Sequence, residues 1–407
     1  MLKNNRIRQL PRNIWVLTGG SFLTDISSEM IVHLIPLFLA NILGVRTVTI
    51  GLIEGVAETT ASLLKVFSGR YSDKLGQRKW LTVVGYGLST IAKPFLVLAN
   101  SWTAVFAIRF TDRVGKGIRT APRDALVADS IDPEHRGLAF GLHRAGDTAG
   151  AAIGLLTALI VVWLAQGSDL TLQTTTFRTL VWISVIPAVL AVLLLVVGIR
   201  EKPSTAKQDA DKKSLTWGEL GRPFKQFLFV VALFTLGNSA DAFLVLRAQE
   251  RGLSVLSVMA LLVAFNVIYA VISGPASALS DKIGRRRLLV SGWMLYALLY
   301  AGFALAQTGW QIGLLFAAYG VYYGLTEGSA KAFVADLVQP EQRGTAYGFY
   351  NAAVGVMALP ASLLAGLLWQ GTGRWTGFGP SAPFVFGAVL ALAAVSLLVG
   401  LQFRIKD

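Results

Sequence analysis

Two stretches run uncharged for the thickness of a bilayer: TLVWISVIPAVLAVLLLVVGI at residues 179–199 and FVFGAVLALAAVSLLVGLQF at 384–403. A hydrocarbon core of about 30 Å is crossed by about 20 apolar residues in a helix, so each predicts a spanning segment. Similar apolar runs, separated by short polar loops, predict helices over roughly 13–40, 47–68, 80–99, 102–127, 137–165, 178–199, 223–246, 255–280, 288–307, 310–336, 343–370 and 382–403. The strict alternation of a membrane barrel is absent. The expected class is an all-α polytopic membrane protein with twelve transmembrane helices.

The chain repeats itself. LVADSIDPEHRGLAFG (126–141) and FVADLVQPEQRGTAYG (333–348) match at an offset of 207, and GRYSDKLGQRK (69–79) and SALSDKIGRRR (277–287) at 208. Each repeat holds six predicted helices. The expected organisation is an N-terminal six-helix bundle (1–199), a polar linker (200–222) and a C-terminal six-helix bundle (223–407).

Composition agrees. Hydrophobic residues make up 54% and charged residues 15%, with mean hydropathy +0.58; soluble domains carry about 25% charged residues. The absence of cysteine excludes disulfides and thiolate metal sites. A basic leader precedes the first helix, but Asp25 and Glu29 lie inside it and no small-residue cleavage site follows. It reads as a retained helix, not a signal peptide. The net charge of +14 reflects Lys and Arg concentrated at the termini and on loops of the same side. That bias places both termini in the cytoplasm of a cell (inner) membrane protein and is not a nucleic-acid footprint.

With two loop motifs at matching places, the chain resembles the major facilitator superfamily (MFS), whose signature between its second and third helices is GxxxD(R/K)xG(R/K)(R/K). The first copy reads Gly69, Asp73, Lys74, Gly76, Arg78 and Lys79, with Gln77 at one usually basic position. The second reads Asp281, Lys282, Gly284, Arg285 and Arg286, with Ser277 in place of the glycine. The resemblance implies the MFS fold of two pseudo-symmetric six-helix bundles working by alternating access. It further implies that Gly69, Asp73, Lys74, Gly76, Arg78, Asp281, Lys282, Gly284 and Arg285 form a conformational latch, and that the first, fourth, seventh and tenth helices line a central cavity.

Within that frame RFTDRVGKGIRTAPRD (109–124) stands out. At about 100° per residue, Arg109, Arg113, Lys116, Arg119 and Arg123 share about one third of the helix circumference with Asp112. Phe110, Thr111, Val114, Gly115, Gly117 and Ile118 form a packing face opposite. A charge facing lipid costs at least about 2.5–3.5 kcal/mol, so the stripe faces protein or water. Pro122 is placed to kink or end this helix, leaving Arg123 and Asp124 at the cytoplasmic mouth. Arg113, four residues before Gly117, sits where the family's motif on this helix places an arginine tied to proton coupling. VGKGIRT lacks the spacing of a phosphate loop.

Elsewhere the first segment carries Asp25, Glu29 and His33, the second Glu54, Glu58 and Lys65, and the fifth His143, Arg144 and Asp147. The second half offers Asn238, Asp241, Glu327, Lys331, Tyr347, Tyr350 and Asn351. Expected substrate-binding residues are Arg109, Arg113, Lys116, Arg119, Asn238, Asp241, Tyr347, Tyr350 and Asn351. Expected proton-coupling residues are Asp25, Glu29, His33, Glu58 and Glu327. Competing readings make Glu327 and Lys331 an internal ion pair, leave Glu54 and Glu58 solvated near the extracellular mouth, and make Asp25, Glu29 and His33 a metal site. Gly146, Gly150 and Gly154 keep the glycine spacing of the family's drug/proton antiporter signature but lack its proline.

These residues point to a proton-coupled secondary active transporter of a small anionic or zwitterionic solute. Arginine's planar fork suits carboxylate or phosphate. The alternatives are a drug or amphiphile proton antiporter and, less favoured, a metal-ion exporter. No nucleophile elbow or metal-ligand set suggests an enzyme, and no appended soluble domain suggests a receptor. The expected partners are substrate, protons and lipid, with no cofactor, no resident metal and no nucleic acid; the expected unit is a monomer.

Overall fold

The computed structural model describes residues 10–75, 77–132, 135–201, 217–339 and 342–401, with the side chains of Ser277, Ala278 and Asp281 outside that set. Gly76, most of the linker and the Pro-Glu steps of both repeats therefore lie outside the described residues. Among those described, all regular elements are helical. They are α1 (Arg12–Glu29), α2 (Thr47–Leu75), α3 (Lys79–Ala92), α4 (Trp102–Asp129), α5 (Arg136–Gln166), α6 (Thr174–Gly198), α7 (Arg222–Gly237), α8 (Ala242–Glu250), α9 (Val255–Ile283), α10 (Arg285–Leu305), α11 (Gly309–Asp336), α12 (Arg343–Gln370) and α13 (Ala382–Gly400).

Nine helical stretches among the described residues are long and apolar enough to cross a membrane. The expected segments at 47–68, 102–127 and 310–336 are helical over 28 or 29 residues. At 1.5 Å rise per residue they match a bilayer in length. Charge or polar side chains inside them lower their hydropathy.

Three segments expected to run unbroken do not. The first leaves the α-helical form at Glu29 and continues through short turns to Ile42, where Pro36 lacks the N–H that would bond back one turn. The third becomes a 3-10 turn over Lys93–Val97 at Pro94. The seventh breaks between Gly237 and Ala242, across Asn238, Ser239 and Asp241, residue types whose side chains compete with helical hydrogen bonding. By contrast α4 does not end at Pro122 but runs on to Asp129.

The chain forms two compact units. The first gathers Met1–Phe38, Thr60–Gly167 and Leu172–Lys212, the second Leu39–Thr59, Ser168–Thr171 and Lys213–Asp407. In the first, α5 lies against α1 along Gly146, Gly150 and Gly154. A Cβ on Gly150 would stand 2.4 Å from the Phe22 carbonyl oxygen, and one on Gly154 2.5 Å from that of Ile26. The glycine spacing of α5 thus serves a helix seam, the close approach that small residues allow in membranes. In the second, the start of α2 packs on α12, with Thr59 Oγ1 donating to the Gly355 carbonyl at 2.6 Å and the Thr47 amide to Gln370 Oε1 at 2.9 Å.

Candidate functional site

The first unit concentrates charge around α4. Arg109, Arg113 and Arg119 are 4%, 7% and 7% exposed, so most of the stripe is buried in protein. Asp112 Oδ2 lies 3.6 Å from Arg113 Nε and 4.0 Å from an Arg109 guanidinium nitrogen. A fourth cation joins them from α3's 3-10 extension. Lys93 is buried, and its ammonium donates to Ser27 Oγ and, at 3.2 Å, to Ser28 Oγ. Ser27 Oγ is itself anchored by donating to the Ser184 carbonyl at 2.6 Å. Lys93, Arg109, Asp112, Arg113 and Ser28 share a cavity of about 30 Å³ with apolar walls that include Ile31, Val32 and Ile108. That volume holds about two waters, close to the size of one carboxylate group. Sequence reasoning passed over Lys93 because it sits singly in an apolar span. The available signal was the general cost of a lysine at that depth.

The rest of the stripe divides. Arg119 donates to Ser89 Oγ at 2.8 Å and stacks over the Tyr86 ring at 4.4 Å, while Ser89 Oγ donates to the Asp112 carbonyl at 3.0 Å. Arg119 is thus tied to α3. Lys116 is exposed, and its charge acts on Asp25 and Glu29 of α1. Arg123 chelates Asp124 at 2.8 and 3.0 Å and reaches Ser21 Oγ at 3.2 Å. The packing face includes Gly115 and Gly117; added Cβ atoms there would strike the Gly85 carbonyl oxygen at 2.5 Å and Leu64 Cβ at 2.6 Å.

Of the acids, Glu29 Oε2 meets His33 Nε2 at 3.1 Å although His33 lies beyond the end of α1. Asp147 Oδ2 meets His143 Nδ1 at 3.4 Å. Glu54 is 7% exposed, which overturns its solvated reading; Glu58 is half-buried. Among the described residues no three His, Asp or Glu side chains converge as metal ligands.

In the second unit the expected polar residues are held by tyrosines. Tyr296 OH donates to Asn238 Oδ1 at 3.2 Å and Tyr319 OH to Asp241 Oδ1 at 3.3 Å. Tyr269 OH donates to Glu327, which also pairs with Lys331 at 3.4 Å. The rings form a layer. Tyr296 stacks on Tyr300 at 4.0 Å, Tyr319 on Tyr322 at 5.4 Å, and Tyr323 meets Tyr319 edge-on at 5.2 Å. Tyr347, Tyr350 and Asn351 are half-buried on α12, and Tyr350 is near enough to Glu327 to feel its charge.

The loop motifs form ion pairs within each unit. Arg78 bonds Asp73 at 3.1 Å and also Asp129, the aspartate of the first VAD. Lys79 Nζ donates to the Ile199 carbonyl at 2.9 Å. In the second copy Arg285 bonds Asp336, the aspartate of the second VAD. Arg286 donates to the carbonyls of Leu398, Val399 and Leu401 at 2.7 to 3.1 Å. Motif alignment sets Arg78 opposite Arg286, yet Arg285 does its work, because α10 begins directly after Gly284, whose φ of +92° suits only glycine. Gly69 approaches Ala121 closely, and Lys74 and Lys282 are exposed.

A family model described as the Major Facilitator Superfamily matches residues 17–254 and 227–405. The chain belongs to the major facilitator superfamily. It is 36% identical over 404 residues to an uncharacterised MFS-type transporter of Methanocaldococcus jannaschii, covering 97% of this chain and 96% of the relative. It is 25% identical over 362 residues to a probable 4-methylmuconolactone transporter of Cupriavidus pinatubonensis, covering 84% and 80%. Among solved structures, a POT family transporter in complex with 5-aminolevulinic acid superposes with a TM-score of 0.79 at 13% identity, over 98% of this chain and 97% of that one. This MFS chain is a multi-pass membrane protein of a carrier family.

Proposed function

We propose that this MFS protein is a proton-coupled secondary active transporter for a small carboxylate-bearing solute, anionic or zwitterionic. It acts as a monomer in the cell (inner) membrane with both termini cytoplasmic. The observation that carries the reading is the convergence of Lys93, Arg109 and Arg113 on one cavity whose resident counter-ion is a carboxylate, Asp112. Its 3.6 and 4.0 Å separations are long for charge-assisted bonds, which favour about 2.7–2.9 Å. A substrate carboxylate that reached the guanidinium forks bidentately would therefore compete well. A proton carried with the anion keeps the crossing electroneutral and avoids about 2.3 kcal/mol per charge per 100 mV of membrane potential. Alternating access of two repeat-related halves supplies the movement.

The tyrosine layer gives an amphiphile exporter its best support. A thermal-shift panel on the purified chain separates the two readings, using acetate, benzoate, citrate and glycine against the lipophilic cation ethidium. Saturable stabilisation by a carboxylate, lost in Arg113→Gln, is expected. Stabilisation by ethidium alone would transfer the protein to the exporter class.

A further inference from the structure

We propose that His143 and Asp147 of α5, together with Asp25 of α1, form a proton-binding site separate from the anion cavity. The inference rests on the proton-coupled reading above and deepens it.

The three glycines of α5 draw it onto α1 at Thr18, Phe22 and Ile26. That seam places Asp147 where its charge acts on Asp25: of the charges Asp25 feels, those of Asp147 and Glu29 act most strongly, followed by Lys116 and Arg119. From α1, Ser21 and Asp25 face the pair, and from α4, Arg123 does. Arg123 in turn holds Asp124 and feels Tyr86 of α3. His143 is 4% exposed; its Nδ1 faces Asp147 while Nε2 is buried with no partner among the described residues. An imidazole held through one nitrogen by a carboxylate, with the other bare, needs only a proton at that second nitrogen to become a paired imidazolium. Histidine is the side chain whose ordinary titration falls nearest neutral pH. Asp147 lies beside the imidazole, and Asp25, which feels the Asp147 charge, is the next carboxylate in line.

The site is distinct from the cavity yet wired to it. Arg113 and Arg123 are ten residues apart on one helix, about 15 Å. Arg119 lies between and acts on Asp25 at one end and on Lys93 and Asp112 at the other. One guanidinium thus borders both clusters.

The chain contains three histidines and no cysteine, which makes the test clean. In lipid nanodiscs, ¹⁵N-histidine spectra between pH 5 and 9, assigned with His→Gln variants, follow each imidazole. The expected result is a pH-dependent His143 signal whose midpoint falls by about one pH unit or more in Asp147→Asn, since the imidazolium loses its counter-ion. His33 and His135 should not move. A purely structural pair would also titrate, so a second readout is needed. Spin labels on Asp132→Cys and Gln339→Cys, equivalent positions of the two repeats, report the conformational equilibrium against pH. Wild type should shift with the midpoint of His143, and His143→Gln should abolish the shift. An unresponsive wild type would overturn both this site and the proton-coupled reading. A responsive wild type with an equally responsive His143→Gln, or a His143 that never titrates, would overturn the site alone.

Discussion

Helices α4 and α11 hold equivalent places in the two repeats, and both are 28 residues long. Their ends agree: Asp129 pairs with Arg78 and Asp336 with Arg285. Their scaffolding contacts agree as well. A Cβ on Gly85 would strike Arg119, and one on Gly292, 207 residues later, would strike Thr326, 207 residues after Arg119. Along the face that carries the α4 stripe they part. Where α4 has Arg109, Asp112, Arg113, Lys116, Arg119 and Arg123, α11 has Phe316, Tyr319, Gly320, Tyr323, Thr326 and Ala330. The duplicated frame has kept its packing and its loop ion pairs, while one copy became cationic and the other aromatic. Charge suits capture of an anion's head. Tyrosine suits an apolar body with occasional hydrogen bonds.

The comparison breaks first if the cations are scaffolding. Arg113→Gln should weaken binding of the stabilising carboxylate at least tenfold, since one charge-assisted hydrogen bond contributes about 1.5–3 kcal/mol. Arg113→Lys keeps the charge but not the fork, and should recover only part of the loss. Lys93→Met should behave like Arg113→Gln. Calorimetry on protein with an unchanged elution profile decides, and wild-type affinity in all three variants would make the cluster structural.

A second, smaller effect separates frame from face. Gly150→Leu puts a side chain into the Phe22 backbone and should lower stability by about 1–3 kcal/mol, as overpacking does. Gly87→Leu meets open space and should change little. Fraction folded against denaturing detergent measures both, and equal losses would mean that the α1–α5 seam is not close-packed.

These contrasts were unevenly legible in the sequence. The apolar spans, the repeats and the stripe of α4 showed because hydropathy and formal charge vary with the right period. Lys93 did not, being one cation in a span that its neighbours made convincingly apolar. The tyrosine layer did not either, since a tyrosine counts as neither charged nor strongly apolar until its partners are known; Asn238 and Asp241 stood out, but not the Tyr296 and Tyr319 that hold them. The one-residue shift that gives Arg285 the role of Arg78 was hidden by the one-residue difference between the two repeat offsets, which only the start of α10 resolves.

Tyr319→Phe tests the aromatic side with a smaller change. It keeps the ring contacts and removes the hydroxyl that Asp241 accepts from. A net loss of about 1 kcal/mol in stability is expected from a single hydrogen bond, with carboxylate affinity altered less than threefold, since the cationic cavity is lined by residues of the first unit. An affinity loss as large as that of Arg113→Gln would show that carboxylate binding does not rest on the first unit's cations alone.

The smallest effect is the most exacting test of the shared frame. Asp129 and Asp336 are each paired to an arginine of the adjoining loop, with side chains 47% and 27% exposed. Ion pairs this open contribute about 0.2–1 kcal/mol, and salt screens them. Asp129→Asn and Asp336→Asn should therefore each lower stability by less than about 1 kcal/mol, Asp336→Asn slightly more, and the difference from wild type should shrink in 1 M salt. Losses in Asp129→Asn that exceed those in Asp336→Asn and survive salt would show that the first loop does more than close its own helix end. Arg78 also holds Asp73, so Asp73→Asn made alongside Asp129→Asn tells whether the two carboxylates act through the same arginine. If they do, the double variant should cost little more than the larger single one, because both remove charge from one guanidinium; full additivity would mean that each aspartate works independently.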